Sequence, residues 1–347
     1  MKAWRVHTFG EPRDVLQLDE VPEPTGADLE GMTMGLGGWE PMSAGREPFT
    51  DWVVLEMSHA ALALPDVTTA RGTYPVPVGR PYIAGQEGVG TVVDATPGRR
   101  ELLGKRVAAV CIQRWGSLAP VSVGVSTIFE VPDGMSDVDA AGFLIPGHTA
   151  YHAAIRRGGI TAGETVVVLG AGGGVGSAMV QLSVAHGVRV IAVVGGAEKV
   201  AFCQSLGAEV VDHQAVDVVE SVRALTDSQG VDVVLDPVQG EVGGRIRAVL
   251  RPDGRHVLCG HAGGLQAHDP DFYLYNHTLI GATLGSYPRD EMRRLTTETH
   301  AALVGLVADG RYRSTVTRCV AFDQVPDALT DLAARRTMGR VVVDVRG

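Results

Sequence analysis

A glycine-rich segment between a buried strand and an amphipathic helix constrains this sequence more than any other feature. Residues 165–169 read TVVVL, a short apolar run typical of a strand buried on both faces of a sheet. The next seven residues, 170–176, read GAGGGVG, and apolar residues then recur at helical spacing from Val175 to Ala185. A strand, a tight turn and a helix in this order predict one unit of an α/β domain.

The glycines of this turn leave room for a phosphate group at the start of the helix. Unpaired N–H groups and the helix dipole attract anions to a helix N-terminus, and side chains at Gly173 or Gly174 would block the approach. Gly176 lets the helix pack closely on the strand. Residues 171–176 match A-x-G-x-x-G, a variant of the dinucleotide-binding fingerprint. We therefore predict that Gly173, Gly174 and Val175 bind a dinucleotide; a glycine-rich turn that binds nothing is the alternative.

The next strand indicates which dinucleotide fits. An NAD site has an Asp or Glu at the end of this strand, where it holds the ribose hydroxyls. Residues 188–194 instead run into Gly195 and Gly196 without an acid, and Lys199 follows at the start of the next helix. Small residues and a cation would accept a 2′-phosphate that a carboxylate would repel, so we predict NADPH, with Gly195 and Lys199 in its site. In the alternatives, Lys199 is a solvated lysine or Glu198 reaches the ribose.

Two kinds of pattern surround this unit. From about residue 140 to 280, apolar strand candidates alternate with helical patterns, which predicts a doubly wound parallel sheet with helices on both faces. The first 140 residues have shorter β runs between Gly- and Pro-rich turns, typical of an irregular, mostly β domain, and 26–50 is predicted to be a loop. The strand candidates are 52–55, 90–93, 106–110, 165–169, 188–194, 231–235, 255–259, 315–322 and 340–345, with a helical pattern over 323–334.

Composition and charge narrow the class of protein. The 347 residues are enough for about two domains. A net charge of −10 argues against a nucleic-acid partner, and no apolar run approaches the ~20 residues of a membrane span. The first residues, MKAWRVH, lack the apolar stretch of an export signal. Because the four cysteines are far apart, at 111, 203, 259 and 319, we expect a cytoplasmic protein with reduced thiols.

Motifs spread along the chain carry a resemblance to a known family. The matching stretches are MKA (1–3), FGEP (9–12), GQEGVG (85–90), GKRV (104–107), GHTAYHA (147–153), the glycine-rich turn, GVDVVLD (230–236) and MGRVVV (338–343). Together they resemble the medium-chain dehydrogenase/reductase superfamily, in its zinc-free, quinone oxidoreductase-like branch. The resemblance covers nearly the whole chain except about residues 29–50. It implies a GroES-like catalytic domain formed by 1–139 with 282–347, and a Rossmann-type NADP-binding domain at 140–281.

The same resemblance bears on zinc. Zinc-dependent relatives hold the catalytic metal with a Cys, a His and a second Cys, and the matching positions here are Ala63, Gln86 and Pro146. None supplies the thiolate, imidazole or carboxylate that zinc prefers, and the four-Cys structural zinc lobe is missing. His59 and His148 are weak replacement candidates because no third donor matches them. We therefore predict a chain without zinc.

The missing metal ligands imply a particular chemistry. Zinc polarises a carbonyl oxygen as a Lewis acid; without it, hydride adds most easily to quinones or to C=C bonds conjugated to a carbonyl. The resemblance thus implies an NADPH-dependent reductase of such small molecules, which orients the reactants and stabilises an oxyanion. Two alternatives are a metal-dependent alcohol or carbonyl dehydrogenase of the same superfamily, and a non-catalytic NADPH-binding scaffold or sensor.

Four catalytic candidates follow from the resemblance. Asp66 lies where the family's early loop carries an Asp, and Tyr74 matches a tyrosine that lines the substrate site in some relatives. His148 and Tyr151 are placed at the start of the helix that leads into the nucleotide domain, as contacts to substrate or cofactor. The alternatives are a turn or cap for Asp66, a core ring for Tyr74, and packing for Tyr151 and His148.

Further cofactor contacts are implied outside the glycine-rich turn. His213 lies where similar proteins often have a tyrosine near the adenosine phosphate, with a surface histidine as the alternative. Gly260 and His261 match the loop that passes the nicotinamide in relatives. Gly339 and Arg340 belong to the matching stretch near the end of the chain.

Two apolar segments receive an interpretation of their own. Met32, Met34, Leu36 and Trp39 in the inserted stretch are hypothesised to form an adaptable apolar wall for a particular substrate. The other segment, FYLYN at 272–276 followed by 281–287, matches a strand that joins two sheets across a dimer in relatives. A homodimer is therefore expected from the resemblance.

Overall fold

The computed structural model describes residues 1–29, 51–74, 78–111, 114–264, 274–285 and 287–347. The chain forms two compact units, each made of more than one segment. The first contains residues 1–145, 286–300 and 314–347, and the second contains 146–285 and 301–313. Residues 301–313 thus cluster with the nucleotide half, although the predicted domain boundaries place them in the catalytic domain.

Fifteen strands are formed by the described residues. Numbered along the chain, they are β1 (Lys2–Val6), β2 (Leu16–Glu20), β3 (Trp52–Leu62), β4 (Tyr82–Ile83), β5 (Glu87–Ala95), β6 (Arg106–Cys111), β7 (Val121–Glu130), β8 (Thr165–Leu169), β9 (Arg189–Val194), β10 (Glu209–Asp212), β11 (Val231–Asp236), β12 (Leu250–Leu258), β13 (Thr278–Gly281), β14 (Val316–Ala321) and β15 (Arg340–Asp344).

Eleven α-helices lie in the same described ranges. They are α1 (Pro12–Val15), α2 (Gly26–Leu29), α3 (Leu64–Ala70), α4 (Asp137–Ala141), α5 (Leu144–Tyr151), α6 (Gly174–Ala185), α7 (Ala197–Ser205), α8 (Val218–Leu225), α9 (Gly240–Ile246), α10 (Arg289–Ala308) and α11 (Val325–Ala333). A π-helical turn, His152–Arg157, continues α5, and short 3₁₀ turns cover Pro97–Leu102, Arg247–Val249 and Phe322–Gln324.

The second unit contains a six-stranded parallel sheet in the order β10-β9-β8-β11-β12-β13. Counted along the chain from β8, this is the order 3-2-1-4-5-6 of the doubly wound dinucleotide-binding fold. The central strands are mostly apolar and buried along nearly their whole length, because parallel strands bury both faces. The predicted Rossmann-type domain is confirmed.

The first unit is built from two sheets. A mixed sheet has the order β14-β15-β3-β5-β6-β7, and β3 also pairs with β7, so that β3, β5, β6 and β7 close on themselves. Only β14 and β15 run parallel among the described strands of this sheet. A smaller sheet has the order β2-β1-β4. The predicted mostly β domain is confirmed; β3, β5 and β6 are longer than the apolar runs that predicted them, and β14 and β15 are slightly shorter.

One segment differs from its prediction. The loop predicted over 26–50 begins instead with the helical turn α2, where Asp28 accepts hydrogen bonds from the N–H and hydroxyl of Thr25 at 2.9 and 2.7 Å. The rest of that stretch, with Met32, Met34, Leu36 and Trp39, lies outside the described residues. In the part of the chain that the structure describes, none of the helices has the length and apolarity that a membrane crossing requires.

Residues 301–313 are joined to the second unit through α6. The side chain of Gln181, which is 8% exposed, donates to the carbonyl oxygen of Arg313 and accepts from the N–H of Arg313, both at 3.1 Å. A buried amide needs both kinds of partner, and this pair supplies them. A segment far along the chain thereby completes the unit that carries the glycine-rich turn.

We predict that Gly176→Ala destabilises the protein, against the usual helix preference for Ala. A Cβ at Gly176 would lie 2.2 Å from the carbonyl oxygen of Gly170, so α6 would have to move off β8. We expect the free energy of unfolding to fall by about 1–3 kcal/mol in urea denaturation. Gly305→Ala in α10 is the matched control, because a Cβ there meets nothing within 4 Å and Ala favours the helix. Equal stability changes in the two variants would contradict the prediction.

Candidate functional site

The glycine-rich turn places a helix N-terminus at the carboxyl end of the central strand. Gly173 is the N-cap of α6 and has extended backbone, and its N–H donates to the carbonyl oxygen of Gly170 at 3.0 Å. Gly173 is exposed, while Gly174 and Val175 are half-buried. The first N–H groups of an α-helix have no partner inside the helix, so this end of α6 presents donors beside an open glycine surface. The arrangement is suited to an anion.

Lys199, which the sequence places at the start of the next helix, lies beside that turn. A Cβ at Gly172 would lie 3.0 to 3.3 Å from the Cδ, Cγ and Cβ atoms of Lys199, so the lysine stem runs along the glycine surface. Lys199 is half-buried in the first turn of α7, whereas its neighbour Glu198 is exposed. The structure therefore brings one cation, and not the adjacent acid, alongside the candidate phosphate site.

The corner after β9 holds a further predicted residue. A Cβ at Gly195 would lie 2.8 Å from Nε2 of His213 and 2.9 Å from Nε2 of Gln214, so both side chains cover this glycine. His213 is exposed and directly follows β10. The predicted cofactor residues Gly195 and His213 thus meet in space, although they are 18 residues apart in the sequence.

The same corner also contains a carboxylate, which comes from the neighbouring strand β10 and not from β9. Asp212, the last residue of β10, accepts from the N–H of Gly196 at 3.1 Å and from the N–H of Gln214 at 3.0 Å. These hydrogen bonds lower the pKa of Asp212. Strand β9 itself ends without an acid, but β10 supplies one because its register sets Asp212 opposite Val194. The Asp212 carboxylate thus accepts hydrogen bonds from two backbone N–H groups.

The loop after β12 contains Gly260 and His261 at the carboxyl edge of the same sheet. Both residues are half-buried. The carbonyl oxygen of Gly260 accepts from Nε2 of Gln239 at 2.5 Å, and the carbonyl oxygen of His261 accepts from the N–H of Gly264 at 3.0 Å. Ligands of open α/β sheets bind outside this edge, and the cofactor contact of Gly260 and His261 stays a prediction.

In the first unit, Asp66 is a buried carboxyl at the start of α3. It is 5% exposed, and Oδ2 accepts from the N–H of Ala63 at 2.8 Å. Burial raises the pKa of Asp66 to about 6, although the N–H groups of Ala63 and Gly85 and the charge of Arg340 favour the ionised form. Its position as a helix cap is thus established, and its pKa is shifted toward the range of a general acid.

The charge of the Asp66 carboxyl affects the pKa of two tyrosines, Tyr74 and Tyr82. Burial and, to a smaller extent, the charge of Asp66 raise the pKa of each phenol. Tyr82 is 2% exposed, and its hydroxyl has no hydrogen-bond partner among the described residues. Tyr74 is only half-buried. Of the two phenols, Tyr74 is therefore the one that can meet a ligand.

Arg340 is the cation that favours the ionised form of Asp66, and it is buried. Its guanidinium pairs with Glu87, which also accepts from the N–H of Ile145 at 2.7 Å. Burial lowers the pKa of Arg340 to about 10. Gly339 has a positive φ of 55°, and a Cβ there would meet the carbonyl oxygen of Thr315. Gly339 and Arg340 thus have structural partners within their own unit, and their cofactor role stays a prediction.

His148 and Tyr151 occupy the later part of α5 rather than its start, because the helix begins at Leu144. His148 is 3% exposed, while Tyr151 is half-buried with the Arg156 guanidinium 5.8 Å from its ring centre. The two side chains differ in access, and Tyr151 is the more available to a ligand. Their catalytic roles remain predictions.

Sequence reasoning missed three carboxylates, each of which the fold brings against a partner far from it in the sequence. Asp212 belongs to the corner beside Gly195, Glu87 neutralises Arg340, and Asp236 at the end of β11 accepts from His256 at 2.9 Å. A carboxylate at the end of a buried apolar strand is the signal that could have drawn attention to Asp236.

Comparison with known proteins gives one matching family and several similar proteins. Residues 174–300 match the family described as zinc-binding dehydrogenase. Human quinone oxidoreductase is 27% identical over 307 residues, which are 87% of this chain and 86% of that protein. A Thermus thermophilus quinone oxidoreductase, solved also in complex with NADPH, is 28% identical with a TM-score of 0.79, covering 99% of this chain and 100% of that one.

A third similarity is to a much longer protein. A phenolphthiocerol/phthiocerol polyketide synthase of Mycobacterium tuberculosis is 33% identical over 217 residues, which are 61% of this chain. The chain spans 10% of the length of that synthase.

The similarity to these proteins agrees with the parallel sheet of the second unit and with its glycine-rich turn. Together these observations support a resemblance of this chain to the medium-chain dehydrogenase/reductase superfamily. Within that superfamily, the similar proteins are quinone oxidoreductases.

The matching family is described by its zinc, but the donor set here does not fit the metal. Ala63 and Gln86 offer a methyl group and an amide, where zinc needs thiolate, imidazole or carboxylate. Within the described ranges, no group of three His, Cys, Asp or Glu side chains is arranged to hold a metal ion. We therefore derive no step through zinc, and its absence from the protein stays a prediction.

We predict that Asp66→Asn changes how stability depends on pH. The folded protein keeps the Asp66 proton up to about pH 6, whereas an unfolded chain releases it near the ordinary value of 3.8. The folded state therefore binds more protons in this window, and wild-type stability falls as pH rises through it. Asn does not titrate, so the variant should gain on the order of 3 kcal/mol relative to wild type between pH 4 and pH 7.

Chemical denaturation across that pH range measures the effect. Asp14→Asn, which removes an exposed carboxyl, is the control and should follow the wild-type profile. Parallel profiles for wild type and Asp66→Asn would show that Asp66 is not a titrating buried group.

Proposed function

We propose that this protein is an NADPH-dependent oxidoreductase that reduces a quinone or an α,β-unsaturated carbonyl compound without a metal ion. The observation that carries the proposal is the stem of Lys199 along the glycine surface at the start of α6. A cation beside a helix N-terminus suits a dinucleotide with an additional phosphate. The Thermus thermophilus relative named above, solved with NADPH, supports the same cofactor.

Different residues of the second unit would bind different parts of the cofactor. The N-terminus of α6, with Gly173, Gly174 and Val175, would hold the pyrophosphate. Lys199, with Gly195 and His213 at the next corner, would hold the 2′-phosphate end. Gly260 and His261 would contact the nicotinamide end. When bound, NADPH supplies a hydride to the acceptor.

The choice of acceptor follows from the missing zinc ligands and from the polar side chains that remain as proton donors. Without a Lewis acid, a carbonyl oxygen is not polarised by a metal, so the acceptor must already be electron-poor, as quinones and enones are. The protein then has to orient the acceptor, exclude water and deliver a proton. Tyr74 is our first candidate for the proton donor because it is partly exposed beside Asp66. Asp66, Tyr151 and His148 remain the other candidates.

We predict that Lys199→Ala discriminates between the two nicotinamide cofactors. Loss of a charge-assisted contact to the 2′-phosphate should raise KM for NADPH about 10- to 100-fold, because such contacts are worth about 1.5–3 kcal/mol. KM for NADH, which lacks that phosphate, should stay within about 3-fold by the same argument. Steady-state kinetics with both cofactors measure the split.

Glu198→Gln is the matched control for Lys199→Ala, because it changes the adjacent, exposed residue of the same helix. It should leave both KM values unchanged. Weaker NADH binding in Glu198→Gln, with no NADPH effect in Lys199→Ala, would mean that Glu198 holds the ribose and would reverse the cofactor preference.

We predict that Tyr74→Phe lowers kcat and leaves the KM for NADPH unchanged. If its hydroxyl gives the proton, removal should cost about 10²-fold or more in kcat. Tyr82→Phe is the control, since burial and the charge of Asp66 also raise the pKa of Tyr82, but Tyr82 is buried and cannot reach a ligand. Stopped-flow and steady-state rates should therefore fall in the first variant alone. Full activity in Tyr74→Phe would transfer the role to another candidate.

Two measurements on the purified wild-type protein separate the remaining alternatives. Consumption of NADPH with a panel of quinones and enones supports the reductase, and inactivity across the panel together with tight NADPH binding supports a scaffold or sensor. Metal analysis by mass spectrometry tests the metal-dependent alternative, which requires stoichiometric zinc. Either of these last two results would replace the proposed function.

We also propose a homodimer, formed through β13. This strand ends the six-stranded sheet in the order given above, and Leu274 and Tyr275 just before it are 60% and 53% exposed. An edge strand next to exposed apolar side chains favours pairing with a second chain. Phe272 and Tyr273 of the same apolar segment lie outside the described residues. Sedimentation at micromolar concentration tests the proposal.

A further inference from the structure

A fully buried acid–imidazole pair lies at the carboxyl edge of the parallel sheet. Asp236, the last residue of β11, is 0% exposed, and His256 in β12 is 2% exposed. Nε2 of His256 donates to Oδ2 of Asp236 at 2.9 Å. The other carboxylate oxygen accepts from the N–H groups of Val238 and Gln239 at 2.7 and 2.6 Å. Three donors thus satisfy a carboxylate that water does not reach.

This pair joins two loops that leave neighbouring strands. The loop 237–239 follows β11, and the loop 259–263 follows β12. Gln239 donates from its side chain to the carbonyl oxygen of Gly260 at 2.5 Å, and the N–H of Gly263 donates to the carbonyl oxygen of Val238 at 2.7 Å. Asp236 bonds to the first loop, and His256 belongs to the strand that leads into the second loop. The buried hydrogen bond between Asp236 and His256 therefore constrains both loops.

The contact also holds an unfavourable backbone conformation. Gln239 has φ 54° and ψ −143°, a region that residues other than glycine enter only under constraint. The Asp236 carboxylate binds the Gln239 N–H, and the Gln239 side chain is bound to Gly260, so the residue is held at both ends. Gly240 follows with φ 64°, and a Cβ there would lie 2.4 Å from the carbonyl oxygen of Gly263. A side chain at Gly240 would therefore force the two loops apart.

Stability alone does not account for such a pair. Burying two polar groups costs free energy, and apolar side chains of similar volume often give equal or greater stability. The pair instead lies where ligands bind to open parallel sheets. The joined loops also reach the glycine-rich turn, since Cγ2 of Val238 would lie 2.9 Å from a Cβ at Gly170.

We propose that Asp236 and His256 are positioning residues for the nicotinamide end of the cofactor. They act through Gln239, which fixes the carbonyl of Gly260 and the course of the chain at His261. The inference rests on the proposed function, because it assumes that Gly260 and His261 contact the nicotinamide half of NADPH. The adenosine half, held by α6 and Lys199, should not depend on the pair.

Two ligands test this division. NADPH contains both halves, whereas adenosine 2′,5′-bisphosphate contains only the adenosine end with its 2′-phosphate. In His256→Leu, calorimetry should show NADPH binding weakened roughly 10- to 100-fold, since small displacements of bound groups have effects of this size. Binding of the bisphosphate should be unchanged. His256→Gln, which retains a donor at the position of Nε2, should recover NADPH binding in part.

Gln239→Leu keeps the test valid if His256→Leu does not fold. It removes the side-chain link to Gly260 and leaves the buried pair intact, so it should also weaken NADPH and spare the bisphosphate. Val222→Ala, a cavity variant in α8 at a 0% exposed position, controls for lost stability and should change neither affinity.

The outcomes separate failure of the proposed function from failure of the positioning role. If wild type binds the bisphosphate but not NADPH, or binds neither, the proposed function fails and the inference fails with it. If wild type binds both, and His256→Leu and Gln239→Leu bind both as wild type does or lose both equally, the inference alone is overturned.

Discussion

The close approach of α6 to the turn after β8 is the constraint on which the rest of the structure depends. With no side chain at Gly176, the helix lies against the backbone of Gly170 and begins at the carboxyl end of the central strand. That placement leaves the first N–H groups of α6 open at an exposed glycine surface. It also allows the stem of Lys199 to run beside Gly172. The position of one helix relative to one strand thereby sets where phosphates can bind, and the strand order sets which loops surround them.

Three buried carboxylates show how the fold uses acids away from water. Glu87 is neutralised by the guanidinium of Arg340, and Asp236 is satisfied by two backbone N–H groups and an imidazole. Asp66 receives backbone donors but no direct ion pair from the described residues, so burial dominates and raises its pKa. The same chemical group therefore serves as an ion-pair partner, a loop anchor and a weak acid, according to the donors that surround it.

The sequence predicts the elements of the nucleotide half well, because each depends on local pattern. The strand at 165–169 and the helix after the glycine-rich turn are found where apolar spacing places them. The partners of side chains are a different matter. Asp212 reaches Gly196 because β9 and β10 pair in one register, and His256 meets Asp236 across the neighbouring strands β11 and β12. Glu87 and Arg340 are 253 positions apart. Hydrophobic periodicity shows which face of a strand is buried and not which residue lies next to it, so these contacts could not be predicted.

The bond between Gln181 and Arg313 has a consequence for how the chain is made. On a ribosome the N-terminal part of a protein emerges first and begins to fold before the rest is present. The second unit does not acquire this contact until residue 313 has emerged, which is after 286–300, a segment of the other unit, has emerged. The nascent second unit therefore lacks this contact of α6 until the chain has passed through 286–300 and returned. Long-range closure of this kind makes folding slower than local pairing does.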